Sequence, residues 1–369
     1  MKKFKFWVSR IYQIKRFLFL QADERNCIEN YKKVGVKMKK LQLFLIVLVL
    51  SVLAACGESS DESNELSEEK TIKLAHSGSE SHQYHIAAAK FKDILESDED
   101  VDLTVEIHPN SSLGSEGDAI EQVVSGSVEM TTVAADSNLA NIIPEMNVFG
   151  IPFIFDDKEH VYNALDGEAG QHILDLAEDK GIKGLGYWEV GMRHITNDSR
   201  EIVQPEDVSG LSVRVPPAKV WEAYITALGG SPTPIDFNEL YSALDQGVIN
   251  AQENPLATID SMNLHEVQNY ISLTEHTYTP AVTLISLDFY ESLSDTEVEA
   301  LESAVKEAAE YQRHYLDEQE DEILTMLAEE GVTISDPDRE AFREATSDVA
   351  DSVSNDVPEE IVQSLIDSK

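Results

Sequence analysis

The sequence predicts an α/β fold, because strand patterns and helical patterns alternate early in the folded region. Short strands are expected at Ile72–Ala75, Val101–His108 and Val128–Ala134, and helices at His82–Leu95 and Ala119–Val124 separate them. Alternation of this kind is typical of a parallel sheet with crossover helices. A long helical pattern is also expected near the C-terminus.

The remaining elements follow from the same two periods. In the first helix, a helical period places four side chains on the inward face: Ile86, Ala89, Phe91 and Leu95. Further strands are expected at Ile182–Tyr187, Leu211–Val215 and Ala281–Ser286.

The long helix has a clear start and stop. Ser294-Asp295-Thr296-Glu297 is a capping box, in which Ser294 and Glu297 satisfy each other's free backbone N–H groups. Apolar residues then keep helical spacing from Val298 to Leu327, and Gly331 ends the pattern. A helix of about 35 residues is long for a globular domain.

Charge divides the chain into two parts. The 369 residues carry a formal net charge of −41, yet residues 1–55 contain 12 Lys and Arg against 3 Asp and Glu. All of the acidic excess therefore lies after this segment. A surface this acidic repels nucleic acid, so we expect no nucleic-acid partner.

The first 70 residues have the pattern of an exported lipoprotein. Met38-Lys39-Lys40 precedes an apolar run, Leu41–Ala55, which is too short for a comfortable membrane span and suits a signal peptide. Leu53-Ala54-Ala55-Cys56 resembles the bacterial lipobox, which predicts lipidation of Cys56. An uncleaved anchor helix is the alternative. Cys56 would be the only cysteine after cleavage, which excludes an intramolecular disulfide.

The segment before this signal is interpreted as an error in the assigned start of the chain, and the segment after it is expected to be unfolded. Residues 1–37 precede a complete signal peptide (38–55), so we interpret them as an extension from a start codon assigned too early. Residues 56–70 are rich in Ser, Glu and Asp and are expected to form an acidic, flexible tether.

The stretch from Gly210 to Pro255 carries the most chemistry. Arg214 lies inside the strand pattern Leu211–Val215, where a buried guanidinium must find an anion or reach solvent. A helix, a Gly-Gly-Ser-Pro turn and a second helix capped by Asp236 are expected to follow. Gln252-Glu253-Asn254-Pro255 is expected to end the stretch as a polar loop.

Several motifs in this order resemble one family. GLSVRVP, ALGGSPTP and AQENP, together with PNSSLGSEGDAIEQVVSGSVEM, IPFIF and YWEVGMRHITN, are similar to motifs of the solute-binding subunits of tripartite ATP-independent periplasmic (TRAP) transporters, the DctP type. The resemblance runs from about Ile72 to the C-terminus.

The resemblance implies a two-lobed, periplasmic-binding-protein-like α/β fold of the class II type. A ligand cleft lies between the lobes, and the long C-terminal helix braces both. The expected boundaries are 71–190 plus 280–318 for lobe I and 191–279 plus 319–369 for lobe II.

The resemblance also implies which residues bind the ligand. Arg214 matches the arginine that pairs with the ligand carboxylate, Arg193 matches a second arginine, and Asn254 matches a contact residue. Each has a structural alternative: an ion pair at the core edge for Arg214, solvation for Arg193 and a turn before proline for Asn254. The chain departs from the family at Asn250, where many members have an aspartate.

Five further residues are candidates for the cleft wall. Phe237 and Trp188 can cover an apolar ligand face, although aromatic residues are often core. Glu116, Glu189 and His76 can pair with ligand hydroxyls, with a structural role as the alternative. His82 is a candidate beside His76, and no cysteine or second helical pair completes a metal site around these histidines, so we predict no metal.

The sequence therefore predicts a binding protein with no cofactor. It would be exported, lipid-anchored to the outer face of the cell membrane and monomeric, and would deliver an organic acid to a membrane permease. A sugar acid such as a hexuronate is the favoured ligand, with a C4-dicarboxylate as the alternative. A secreted hydrolase is disfavoured, because no G-x-S-x-G, H-E-x-x-H or cysteine nucleophile is present.

Overall fold

The computed structural model describes residues 70–369 of the chain. The predicted extension, the signal peptide, the lipidation site Cys56 and all but the last residue of the tether lie outside the described residues. Ten strands are present within the described range: β1 Lys70–Ala75, β2 Leu103–His108, β3 Met130–Ala134, β4 Ile182–Asn197, β5 Ser212–Val215, β6 Ser231–Pro234, β7 Ala251–Pro255, β8 Tyr270–Ser272, β9 Tyr278–Ser286 and β10 Thr333–Ser335.

Twelve α-helices lie between and after these strands in the described range: α1 Gln83–Glu96, α2 Glu116–Val124, α3 Lys158–Asp166, α4 Glu168–Asp175, α5 Lys219–Ala227, α6 Leu240–Asp245, α7 Leu256–Ser261, α8 Leu287–Glu291, α9 Asp295–Glu329, α10 Arg339–Ala345, α11 Val349–Val353 and α12 Glu359–Ile366. No helix within residues 70–369 is long and apolar enough to cross a membrane.

The strands form a mixed sheet whose order is β2-β1-β3-β9-β4-β7-β5-β6, with β8 pairing both β4 and β10. β1 is parallel to β2 and β3, as the alternation of strands and helices predicts. β9 is antiparallel to both β3 and β4. The sheet is mixed rather than parallel throughout, because a strand from late in the chain inserts beside β3.

β4 is the longest strand and connects the two groups of strands. Its residues 182–192 pair with β9, and its residues 193–197 pair with β7. The register shifts between Glu189 and Gly191, and Gly191 has φ +122°, a conformation that favours glycine. The predicted strand was too short, ending at Tyr187, because the charged side chains beyond it are buried and paired.

The predicted loop at Gln252–Pro255 is instead part of strand β7, and every residue of that strand is buried. The Gln252 side chain donates to Thr196 Oγ1, and Glu253 binds Arg193. These polar side chains find partners inside the protein, so their polarity does not indicate exposure.

Two details of the predicted helices are also wrong. α1 begins at Gln83 with His82 as its N-cap, and its buried residues are Gln83, Tyr84, Ala87, Ala88, Phe91 and Leu95. Ile86 and Ala89 are only half-buried, because α1 packs against both the sheet and α9 and buries a different stripe. Asp236 precedes a 3-10 turn, Phe237–Glu239, but its side chain makes no capping hydrogen bond there; its Oδ1 accepts from Asn138 Nδ2 at 3.1 Å.

The long C-terminal helix agrees with its prediction. α9 spans 35 residues, and the capping box is present, with Ser294 accepting from the Glu297 N–H and Glu297 accepting from the Ser294 N–H. The helix packs against α1, β4 and α7. It therefore contacts one helix that precedes β4 in the chain and one that follows it.

Candidate ligand site

The candidate site is built from the ends of strands in both halves of the sheet. His76 follows the carboxyl end of β1, Asp136 follows β3, and Phe237 follows β6. Arg214 lies in β5 and Asn254 in β7. Ligands of α/β proteins favour the carboxyl ends of strands, and these residues lie at or near such ends.

Arg214 is a buried cation without a carboxylate partner. The side chain is 2% exposed, and Nε donates to the carbonyl oxygen of Ile235 at 2.8 Å. Within residues 70–369, no carboxylate lies at salt-bridge distance from its guanidinium. Burial lowers the pKa of Arg214 to about 10, while Glu253 and Glu116 oppose this shift. The group is therefore charged at neutral pH and retains unused donors.

Arg193 is equally buried but fully engaged. Its Nε and one terminal nitrogen donate to the two carboxylate oxygens of Glu253, at 2.5 and 2.9 Å. It also donates to Asn254 Oδ1 at 3.2 Å, and its guanidinium lies over the Trp221 ring at 4.9 Å. Burial lowers the pKa of Arg193, but Glu253 outweighs it, so that the pKa is raised.

Asn254 joins the same group of side chains. Its Oδ1 accepts from Arg193, and its Nδ2 donates to Gln252 Oε1 at 2.5 Å. Hydrogen bonds at both polar atoms therefore fix the orientation of the Asn254 amide. The structure thus brings Arg193 and Asn254 together, in contact with Glu253, which the sequence analysis placed in a loop.

Glu116 provides a buried carboxylate nearby. Its Oε1 accepts hydrogen bonds from Ser77 Oγ at 3.0 Å and from the Tyr84 hydroxyl at 3.4 Å. Burial raises the pKa of Glu116, and the Ser77 hydrogen bond and the charge of Arg214 oppose that shift. The charge of Arg214 therefore acts on this carboxyl group.

His82 offers a hydrogen-bond donor with no partner. Its Nδ1 accepts from the Tyr84 backbone N–H at 3.2 Å, so the proton of the neutral ring lies on Nε2. Nε2 is buried and has no partner among residues 70–369. The ring packs edge-on against Phe237, which is half-buried, at a centroid distance of 5.4 Å. Burial lowers the pKa of His82 to about 3, so the ring is neutral.

His76 lies beside this group. Its Nε2 is 3.2 Å from His85 Nδ1, and its own Nδ1 has no partner in the part of the chain described. Burial lowers the pKa of His76 to about 3. Within residues 70–369, no group of three or more His, Cys, Asp and Glu side chains is arranged to hold a metal ion.

Asp136 is a further buried group of the candidate site, and the sequence motifs do not include it. It is fully buried; Oδ2 accepts from Thr279 Oγ1 at 2.8 Å, and Oδ1 has no partner among the residues described. Burial raises the pKa of Asp136 to about 7, with Arg193 opposing the shift. A signal was present in the sequence, because this carboxylate comes two residues after the end of a strand in which every residue is buried.

Two predicted residues lie elsewhere. Trp188 is 0% exposed, its indole N–H donates to the Val305 carbonyl oxygen at 3.1 Å, and it packs against Phe91 in the core. Glu189 accepts from the Tyr162 hydroxyl at 2.9 Å and lines a different pocket, beside Lys158. The structure brings neither residue into the group around Arg214.

Comparisons with known proteins agree with this architecture. A sequence model of the DctP family, described as bacterial extracellular solute-binding protein, family 7, matches residues 74–356. The 2,3-diketo-L-gulonate-binding periplasmic protein YiaO of Escherichia coli K12 is 34% identical over 87% of this chain and 96% of its own length.

Two solved structures extend the similarity to the fold. The sugar acid binding protein DctPAm from Advenella mimigardefordensis, in complex with galactonate, has a TM-score of 0.78 and 32% identity, covering 82% of this chain and 98% of its own. A TRAP periplasmic solute-binding protein from Sulfurospirillum deleyianum with bound succinate has a TM-score of 0.77 and 29% identity, covering 82% and 99%.

These matches confirm both the resemblance that the motifs indicate and the two-lobed α/β fold class. The family consists of solute-binding proteins of transport systems rather than enzymes. The matched region includes nearly all of the described strands and the whole of the long helix. This chain belongs to the DctP family of bacterial extracellular solute-binding proteins, the solute-binding subunits of TRAP transporters.

Proposed function

We propose that this protein captures a hydroxylated monocarboxylate, a sugar acid such as a hexuronate, and delivers it to a TRAP membrane permease. Arg214 pairs with the ligand carboxylate in this proposal. The observation that carries it is the buried, charged guanidinium of Arg214, which has no carboxylate partner within residues 70–369. A ligand carboxylate compensates a buried guanidinium through two parallel hydrogen bonds.

The remaining polar groups support a ligand with several hydroxyls. His82 Nε2 is a donor and Asp136 Oδ1 an acceptor, and both are buried without partners among the described residues. A ligand hydroxyl can accept from the first and donate to the second, and Glu116 is a further acceptor nearby. Sites built around hydroxyls reject analogues that lack them, because their polar groups stay unpaired.

Charge supports the choice of a single carboxylate. Glu253 already neutralises Arg193, so Arg214 is the one buried guanidinium of the site that is left for a ligand anion. Glu116 lies near Arg214 and Asp136 near Arg193, and each of these carboxyl groups is negatively charged when it is deprotonated. A second ligand carboxylate close to either acid meets repulsion.

A thermal panel tests the ligand class. D-galacturonate, D-glucuronate and D-galactonate are expected to raise the melting temperature more than succinate or malate at equal concentration, because a ligand that binds only the folded state stabilises it. Shifts with succinate alone would reject the sugar-acid proposal and leave the family assignment in place.

A C4-dicarboxylate is the second candidate, and a specific observation favours it. The similar Sulfurospirillum deleyianum protein holds succinate, and Arg193 is a second guanidinium in the site. For Arg193 to bind a second carboxylate it would have to share its donors with Glu253, which takes two of them in the described structure. Titration with malate against galacturonate separates the two candidates.

We also propose that the mature protein is a monomer anchored through a lipid on Cys56. The lipobox pattern supports the lipid anchor, and in this proposal the acidic segment that follows serves as a tether between the anchor and the binding domain. Cys56→Ser is expected to release soluble protein from the cell surface and to abolish labelling by a radioactive fatty acid. Absence of label on the wild-type protein would remove the anchor from the proposal.

A further inference from the structure

Two buried glutamines surround the point at which β4 passes from one group of strands to the other. We call Glu189–Gly191, where the β4 register shifts, the β4 bulge. Gln83 is 1% exposed and Gln312 is 0% exposed. Both bind backbone atoms of the bulge, and among residues 70–369 neither pairs with a charged side chain. The hydrogen bonds of both glutamines therefore depend on the backbone geometry of the β4 bulge.

Gln83 connects three elements through its amide. Its Nε2 donates to the Val190 carbonyl oxygen in the bulge at 2.9 Å and to Thr258 Oγ1 in α7 at 2.7 Å. Because Val190 offers a carbonyl acceptor, the amide is oriented with Nε2 towards β4, and its Oε1 has no partner among residues 70–369. The first residue of α1 is thus joined to β4 and to α7 at once.

Gln312 completes the arrangement from the long helix. Its Oε1 accepts from the Glu189 backbone N–H at 2.7 Å, and its Nε2 donates to the carbonyl oxygens of Gln83 at 2.7 Å and Glu189 at 3.2 Å. α1, β4, α7 and α9 therefore share one buried group of hydrogen bonds. Removing one member leaves buried polar atoms unpaired, which costs more than the lost bond.

Gln83 also lies directly beside the candidate ligand site. The preceding residue, His82, is the N-cap of α1, and its Nε2 has no partner among the residues described. The following residue, Tyr84, donates to Glu116. A displacement of the first turn of α1 therefore moves two groups of the proposed site together.

We infer that Gln83 is a positioning residue for ligand binding: its amide fixes the first turn of α1, and with it His82 and Tyr84, against the β4 bulge and α7. This inference rests on the proposed function for its consequence in binding. Gln83 does not contact the ligand in this account. It sets the position of groups that do and links that position to the geometry of the bulge.

Gln83→Met tests the inference, because methionine keeps the length of the side chain and removes its hydrogen bonds. The matched control is Gln171→Met, an exposed glutamine on α4 whose amide binds only Asp175 on the same helix. Amide hydrogen exchange is measured on the ligand-free proteins at a temperature where both are folded. Exchange at residues 188–192 and 256–261 is expected to rise about tenfold in Gln83→Met only.

Two exchange results overturn the inference, whatever the ligand. If amide exchange at the β4 bulge and in α7 is the same in Gln83→Met as in the control, Gln83 does not fix these elements. A uniform rise across the chain that follows a lower melting temperature shows a purely structural role. Should Gln83→Met fail to fold, Thr258→Val removes only one of the two bonds and is expected to give the same local pattern at smaller size.

Binding provides the functional readout. With D-galacturonate as the probe, Gln83→Met is expected to raise Kd about tenfold and the control to leave it unchanged. A double-mutant cycle with His82→Ala is expected to show a combined loss smaller than the sum of the single losses. Additive losses would reject action through His82. If wild-type protein binds no sugar acid, the proposed ligand fails, and the exchange experiment still decides the role of Gln83.

Discussion

The two arginines of the candidate site differ in what surrounds them rather than in burial. Arg193 is neutralised by Glu253 and lies over the Trp221 ring, whereas Arg214 binds only a backbone carbonyl within residues 70–369. The resemblance gave both arginines a role at the ligand carboxylate. The geometry favours Arg214 for direct contact and gives Arg193 a structural partner as well.

Removal of Glu253 is expected to destabilise the protein strongly. Glu253→Ala leaves Arg193 buried without its partner, and breaking a buried ion pair in this way costs about 3–5 kcal/mol. Urea denaturation measures the free energy of unfolding. The control is Glu340→Ala, which removes an exposed ion pair with Arg343 and is expected to cost less than about 1 kcal/mol. Equal losses in the two variants would contradict the structural role of Glu253.

Asp136 is expected to make stability depend on pH. Its folded pKa of about 7 lies above its ordinary value of 3.8, so the folded state binds more protons between these values. Stability from this group is complete below about pH 4 and is lost as the pH rises towards 7. Asparagine does not ionise, so Asp136→Asn does not lose this stability as the pH rises. From about pH 4 to 7, the free energy of unfolding of the variant minus that of wild type is expected to increase by an amount on the order of 1–4 kcal/mol.

The pH profile of that difference is the measurement. Thermal unfolding of both proteins at half-unit pH steps from 4 to 9 is expected to show a gap that widens up to pH 7 and is constant above it. A gap that is independent of pH would show that Asp136 does not titrate in this window.

At the scale of elements, the caps of α9 were predictable because they depend on residues three apart. Ser294→Ala is expected to destabilise the protein by about 1 kcal/mol, since the Glu297 N–H loses its acceptor. The matched variant is Ser303→Ala, in the exposed middle of the same helix, where alanine is the better helix former. Chemical denaturation compares the two; a loss at position 303 as large as that at 294 would contradict the capping account.

Strands β4 and β7 show where sequence reasoning fails. Glu189, Arg193 and Glu253 interrupt the apolar pattern of their strands, so the first prediction ended at Tyr187 and the second became a loop. In the structure these charges are buried, because each finds a partner from another element: Tyr162 for Glu189, and Arg193 and Glu253 for each other. Such pairs are distant in sequence and leave no local periodicity.

The candidate site was predictable only in part, because some of its residues belong to no motif and have partners distant in sequence. Arg214 stood out because a lone guanidinium in an apolar strand needs an anion, and the motifs supplied Arg193 and Asn254. Asp136 lies outside all of these motifs, and its partner Thr279 is distant in sequence. Trp188 was a candidate by residue type alone, yet its indole binds the Val305 carbonyl in the core.

At the scale of the whole molecule, the alternation of elements and the family motifs predicted the α/β class and the long helix. The antiparallel insertion of β9 between β3 and β4 was not predictable, because those partners come from distant parts of the chain. The lobe boundaries, 71–190 plus 280–318 and 191–279 plus 319–369, stay a proposal. Contacts such as Asn138–Asp236 and His82–Phe237 would then join the lobes across the cleft.

Closure follows from that proposal. If the two lobes move about β4 and its neighbours, ligand is expected to shift the population towards a closed state. Small-angle scattering should then show a smaller radius of gyration at saturating galacturonate than without ligand. An identical radius in both conditions would indicate a rigid, preformed site.

The central claim is that Arg214 binds the carboxylate of a hydroxylated acid, and calorimetric titration with D-galacturonate tests it most directly. Arg214→Ala is expected to cost about 2–5 kcal/mol of binding free energy, and Arg214→Lys to weaken binding as well, since an ammonium lacks the planar fork. Arg200→Ala, at an exposed arginine that binds only backbone carbonyls, is the control and should bind as wild type does. Unchanged affinity in folded Arg214→Ala would contradict the account.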